Sequence, residues 1–152
     1  MDGVLLDIDD TLVDTHGAFA LALAAVARVH LPDLDPARDR ELVDHWRTDA
    51  RGRYRAYTRG EETYRAQRMA RANDLHATFG GAVLDDAGFD AWNALFEDAF
   101  TGAWAAHPEA SAVVDRLLAA GLVVGALSNA ATGYQRRKLA VAGLLDRVEV
   151  LV

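Results

Sequence analysis

A chain of 152 residues, 51% hydrophobic and 26% charged with a formal net charge of -7, has room for one ordinary domain or for a small domain carrying an insert. Mixed charges among evenly spread apolar residues exclude disorder. The longest apolar stretch, 17–29, is too short for a membrane span and is broken by Arg28. Zero cysteines exclude disulfides, thiolate zinc sites and a cysteine nucleophile. The acidic balance argues against a nucleic-acid partner, and Asp2, Asp7, Asp9 and Asp10 stand where a basic leader would be. A cytoplasmic protein with no membrane partner is therefore the expectation.

The chain opens on a short apolar run, Val4-Leu5-Leu6, that ends in Asp7-Ile8-Asp9-Asp10-Thr11. This pattern fits a buried strand delivering carboxylates at its C-terminal end. From 15 to 106 the periodicity is helical. Phe19, Leu21, Leu23, Val26 and Val29 give the first helix a broad apolar face, and the prolines at 32 and 36 break it. A second helix is predicted over 36–58, with Asp35 as its cap, and a third over 61–78, stopped by Gly80-Gly81. A fourth, over 87–105, carries Phe89, Trp92, Leu95, Phe96 and Phe100 at helical spacing. Trp46, Trp92 and Trp104 read as core of this bundle.

After Pro108 the texture changes. A helix over 109–120 ends at Gly121, and the apolar strand 122–127 runs into Ser128-Asn129-Ala130. Residues 135–142 read as helix, and 148–152 as another strand. Helices alternating with apolar strands imply right-handed crossovers and a parallel sheet. The expected architecture is a Rossmann-like α/β core from residues 1–14 and 107–152, with an all-helical insertion over 15–106.

In open α/β sheets ligands bind beyond the carboxyl ends of the strands. Two strand ends here bear polar groups, Asp7 and Asp9 after the first and Ser128 and Asn129 after the one at 122–127. Each patch also has a plain reading, as a turn at Asp9-Asp10-Thr11 and a helix cap at Ser128-Asn129. Asp7 argues for more, because an acid that follows a buried apolar run is costly to ionise without a compensating cation or donors. Closely spaced carboxylates with no soft ligand point to Mg²⁺.

Asp7-Ile8-Asp9-Asp10-Thr11-Leu12 after an N-terminal strand resembles the DxDxT motif of the haloacid dehalogenase-like hydrolase superfamily. Leu127-Ser128-Asn129 resembles its second motif, and the insert sits where subfamily I places a helical cap. The resemblance implies that Asp7 is the nucleophile, forming an aspartyl-phosphate, and Asp9 the general acid and base. It implies that Thr11, Ser128 and Asn129 serve the phosphoryl group and its loop. Mg²⁺ would be held by Asp7 and, through its carbonyl, Asp9. The family's dehalogenases generally lack the second acid, and its phosphonatases use a cap lysine that this insert does not contain. The expected activity is therefore Mg²⁺-dependent hydrolysis of a small phosphorylated metabolite. A sugar-phosphate mutase of the same chemistry and a non-catalytic binding or regulatory chain are the alternatives.

The family's third motif supplies a lysine and its fourth an acidic strand end, and both are expected beyond residue 152. The chain thus reads as a fragment with an incomplete core, catalytically silent by itself. Its one lysine, Lys138, reads as a solvated helix residue, and His16 as a hinge or capping residue. The arginines between Arg51 and Arg59 read mainly as a solvated face that could also offer a guanidinium to the substrate.

Overall fold

The computed structural model describes residues 2–128, 130–148 and 150–151, with no side-chain description at Val150 and Leu151. The chain divides into two compact units, Met1–Ala18 with Thr101–Val152, and Phe19–Phe100. Among the described residues no helix is long and apolar enough to cross a membrane.

The first unit is α/β. Strands β1 (Gly3–Asp7), β2 (Val123–Leu127) and β3 (Val150–Leu151) form a parallel sheet in the order β1-β2-β3. Parallel neighbours need crossovers, and α6 (Ala110–Ala119) precedes β2 while α7 (Thr132–Val141) leads from β2 towards β3. Val124, Ala126, Val114, Leu139 and Leu144 are fully buried. The register pairs Val4 with Val124 and Asp7 with Leu127, so the two strands end side by side. Glu149 and Val152, part of the expected last strand, lie outside the described residues.

β1 departs from the expectation of a buried strand. It stands at the sheet edge among the described residues, and its side chains alternate between exposed and half-buried, with Leu5 62% exposed. Asp7, on the exposed side of that alternation, is itself exposed. Burial is therefore not what would make this carboxylate demand a counter-charge.

The second unit is helical, built on α1 (Thr15–His30), α2 (Asp39–Thr48), α3 (Arg53–Thr58), α4 (Tyr64–Phe79) and α5 (Asp86–Gly102). Phe89, Trp92, Phe96 and Phe100 recur every three or four residues along α5, so all four fall on its buried face. Trp46 of α2 stacks 5.8 Å from both Trp92 and Phe96. Trp104, by contrast, is buried in the α/β unit, edge-on to Tyr134 at 5.2 Å, and does not belong to the helical core.

The single helix expected over 36–58 is three pieces. Asp35 caps a short 3₁₀ turn, Pro36–Arg38, through the Ala37 N–H at 2.9 Å. Asp49 then ends α2 in the left-handed region at φ 45°, a conformation that aspartate tolerates better than most residues. Its carboxylate accepts the N–H groups of Tyr54 and Arg55 at 3.2 and 3.3 Å, so one residue terminates α2 and caps α3. Local side-chain bonding of this kind competes with helix continuation.

The turn after α4 depends on a close approach. A Cβ on Gly81 would sit 2.6 Å from Leu31 Cδ2 and 2.7 Å from the ring of His76, whose Nδ1 donates to the Ala82 carbonyl at 2.6 Å. Gly81→Ala is expected to destabilise the protein by about 1–3 kcal/mol. Gly102→Ala, where nothing lies within 4 Å, should be neutral or stabilising by about 0.5 kcal/mol. Urea unfolding of the two variants checks the contrast.

Candidate active site

The loop after β1 is folded tightly around one carbonyl. Ile8, fully buried, accepts the N–H groups of Leu12 at 3.0 Å and Val13 at 2.9 Å, and Asp10 returns its own N–H to the Val13 carbonyl at 2.8 Å. This reversal puts Asp10 in the left-handed region, at φ 59°. Asp14 and Asp10 then cap α1, accepting the N–H of Gly17 at 2.8 Å and of His16 at 2.6 Å. With Ile8 and Val13 anchored in the core, the Asp9 side chain has little freedom.

Three donors converge on that side chain. Oδ1 accepts the Thr15 hydroxyl at 2.7 Å and the Lys138 ammonium at 2.5 Å, and Oδ2 accepts Nε2 of Gln135 at 3.1 Å. Gln135 Nε2 also donates to Ser128 Oγ at 2.7 Å, which in turn accepts the Ala130 N–H at 3.2 Å. The ends of β1 and β2 are thus joined by one hydrogen-bonded chain. Burial pushes the Asp9 carboxyl up, but the bonds from Lys138 and Thr15, the Lys138 charge and the Gln135 bond together hold its pKa below the ordinary value.

Lys138 overturns the reading of a solvated helix residue. It is 2% exposed, its ammonium lies 5.5 and 5.4 Å from the ring centres of Trp104 and Tyr134, and it pairs with Asp9. A lysine so buried stays charged only when paired. Gln135, one turn earlier, is 1% exposed. Sequence reasoning missed both, along with Thr15. The signal was available in α7, where positions 135 and 138 share one helical face with the buried Leu139.

The other expected site residues fall as follows. Asp7 is the last residue of β1, beside Leu127, and Ser128 follows β2 directly. Thr11 is exposed and lines a separate cavity of about 330 Å³ with Leu6, Asp10, Leu12 and His107. Asn129 lies outside the described residues. Asp10, Asp14 and His107 each bring a ligand atom within 4.8 Å of the others, but both carboxylates already serve the first turn of α1. In the helical unit the arginine run divides, with Arg51 pairing with Asp74 at 3.0 Å and Arg59 with Glu61 at 2.6 Å.

The family model for haloacid dehalogenase-like hydrolases matches residues 1–152. No curated protein matches the chain. Among solved structures it resembles the HAD-hydrolase YfnB from Bacillus subtilis, determined bound to magnesium, with a TM-score of 0.73 and 20% identity over 99% of this chain and 62% of that one. A HAD family hydrolase from Deinococcus radiodurans R1 with bound phosphate and sodium gives 0.65 and 25% identity, covering 100% and 57%. L-2-haloacid dehalogenase from Xanthobacter autotrophicus gives 0.68 and 19%, covering 100% and 56%. The chain therefore spans about six tenths of the length of these proteins, and what it shares with them is the fold.

The depressed Asp9 pKa makes a signed prediction. A carboxyl lowered in the folded state adds stability that is present above its ordinary value of 3.8 and is lost as pH falls through the lower folded value. Lys138→Met removes the largest lowering cause, so in that acid window the variant should lose less stability than wild type. Urea midpoints measured from pH 5 downward test this, and parallel curves for the two proteins would contradict it.

Proposed function

We propose, for a chain that belongs to the haloacid dehalogenase-like hydrolase family, that its strand-end site hydrolyses a small phosphate monoester through an aspartyl-phosphate on Asp7. The observation that carries this reading is the hydrogen-bonded chain from Asp9 through Gln135 to Ser128. It joins a proton-transfer group to an anion donor beside the exposed carboxylate that ends β1. In this reading the Asp7 carboxylate attacks phosphorus and the bond to the leaving oxygen breaks, with the monoester's own acidic proton passing through the Asp9 carboxylate to that oxygen. Water then attacks the same phosphorus, Asp9 takes a proton from it, and the Asp7–phosphorus bond breaks to release phosphate. Ser128, with Asn129 as a further candidate, holds phosphoryl oxygens by donating to them.

A divalent cation fits the donors present. The strand end offers oxygen and no sulfur, which suits Mg²⁺, and the Asp7 carboxylate is exposed. The Asp9 carboxylate is already held by three donors, so Asp9 would contribute its main-chain carbonyl. When bound, the ion would supply the positive charge that lets one anion approach another.

The second acid supports phosphate esters over carbon–halogen bonds as substrates. Displacing halide needs no proton for the leaving group, whereas an alkoxide leaves slowly without one. We read residues 1–14 and 107–152 as the catalytic core and 15–106 as the cap that sets substrate preference.

The buried Lys138 on Asp9 is a local cation that the expectation of a silent chain left out, so turnover is expected of this chain, and assay against a panel of phosphate esters with Mg²⁺ tests the proposal. Turnover should appear for at least one ester, fall by more than about 10³-fold in Asp7→Asn and by about 10²–10⁴-fold in Asp9→Asn. Turnover that survives Asp7→Asn, or none on any ester with the folded protein, would refute it.

A further inference from the structure

Gln135 satisfies two partners with one amide nitrogen, and the hydrogen count of those partners is informative. Asp9 Oδ2 can only accept, which identifies the Gln135 atom 3.1 Å from it as the NH₂ group and assigns one of its hydrogens. The other reaches Ser128 Oγ at 2.7 Å. A serine hydroxyl has two acceptor sites and one donor hydrogen. The Gln135 amide and the Ala130 N–H, at 3.2 Å, fill both acceptor sites. What remains to Ser128 is its hydrogen, available only for donation.

The same count applies to Asp9. A carboxylate oxygen has about two acceptor sites, and on Oδ1 these are taken by Thr15 and Lys138. Among the described residues Oδ2 accepts from Gln135 alone, which leaves one of its two acceptor sites without a described partner. Gln135 meanwhile is 1% exposed, and its Oε1 finds no partner among the described residues. A buried amide left half-satisfied is costly, and such costs concentrate where function needs the group.

We propose that Gln135 is a positioning residue of the proposed reaction, orienting the Ser128 hydroxyl as an obligatory donor to the phosphoryl group. Lys138, one turn on, holds Oδ1 of Asp9. This inference rests on the phosphatase reading, and it names the residue that couples the site's anion donor to its acid and base. Without Gln135, Ser128 could turn its hydrogen towards Asp9 or accept it from elsewhere, and it would then present a lone pair to an anion.

The test is a double-mutant cycle in the protein between Gln135→Met, which keeps chain length, and Ser128→Ala, read by calorimetric binding of inorganic phosphate and by kcat and KM on an aryl phosphate with Mg²⁺. Gln135→Leu serves as a second apolar replacement, and circular dichroism confirms folding. Gln135→Met is expected to weaken phosphate binding about tenfold, the scale of one hydrogen bond to a charged group. In the Ser128→Ala background the same change should cost no more than about twofold, because the hydroxyl it orients is gone. A purely structural role would give equal losses in both backgrounds. Equal losses, or unchanged phosphate affinity in folded Gln135→Met and Gln135→Leu alike, would overturn the proposal while the wild type still turns over. A wild type that neither hydrolyses an ester nor binds phosphate would overturn the phosphatase reading and this inference together.

Discussion

The ion pair between Lys138 and Asp9 is the contact on which the α/β unit's chemistry depends. Its ammonium is withdrawn from water to 3% side-chain exposure, whereas Asp9 remains 38% exposed. Desolvating a lysine this far costs several kcal/mol unless an anion with good geometry compensates. The compensation is complete only because Asp9 is itself fixed, by the turn around the Ile8 carbonyl and by the Thr15 hydroxyl. Loop and helix therefore constrain each other. α7 buries Lys138 against Asp9, and Asp9 takes two of its three side-chain donors from α7.

That mutual dependence explains why a parallel sheet is a suitable platform. The register of β1 with β2 brings Asp7 beside Leu127, and the residues just past these strands, Asp9 and Ser128, come within reach of one glutamine. Parallel strands deliver their carboxyl ends to the same edge of the sheet, so Asp7, Asp9 and Ser128 all follow or end strands at that edge. The helical unit follows a different logic. It packs an aromatic stack, Trp46, Trp92 and Phe96, and Asp49 joins two of its helices by ending one and capping the next.

The fold was legible where patterns are local. The apolar run at 122–127, the glycine stops after α4 and α6, and the three- and four-residue spacing of aromatics in α5 each encode their element in a few neighbouring residues. Asp7, Asp9 and Ser128 were legible for a related reason, since each directly follows or ends a short apolar strand. What escaped depended on tertiary placement. Lys138 sits in Gln135-Arg136-Arg137-Lys138, a charged stretch that looks solvated in one dimension. Only the docking of α7 on the strand ends reveals that 135 and 138 point inward. The break in the helix at 49–52 was hidden too, because aspartate in the left-handed region is chosen by its own side-chain bonds to Tyr54 and Arg55. Among the described residues β1 has one neighbouring strand and its side chains are exposed or half-buried, which an apolar run does not encode.

The central claim is that Asp7 carries the phosphoryl group while Asp9 moves the protons. Trapping the covalent species tests it most directly. With an aryl phosphate, whose leaving group needs no protonation, Asp9→Asn should still form the intermediate but should fail to activate the water that breaks it down. Acid quenching during turnover, followed by peptide mass spectrometry, is predicted to find phosphate on the peptide that contains Asp7, fragmenting at that residue and absent in Asp7→Asn. An unmodified Asp7 in a variant that still releases aryl alcohol, or phosphate on any other side chain, would contradict the account.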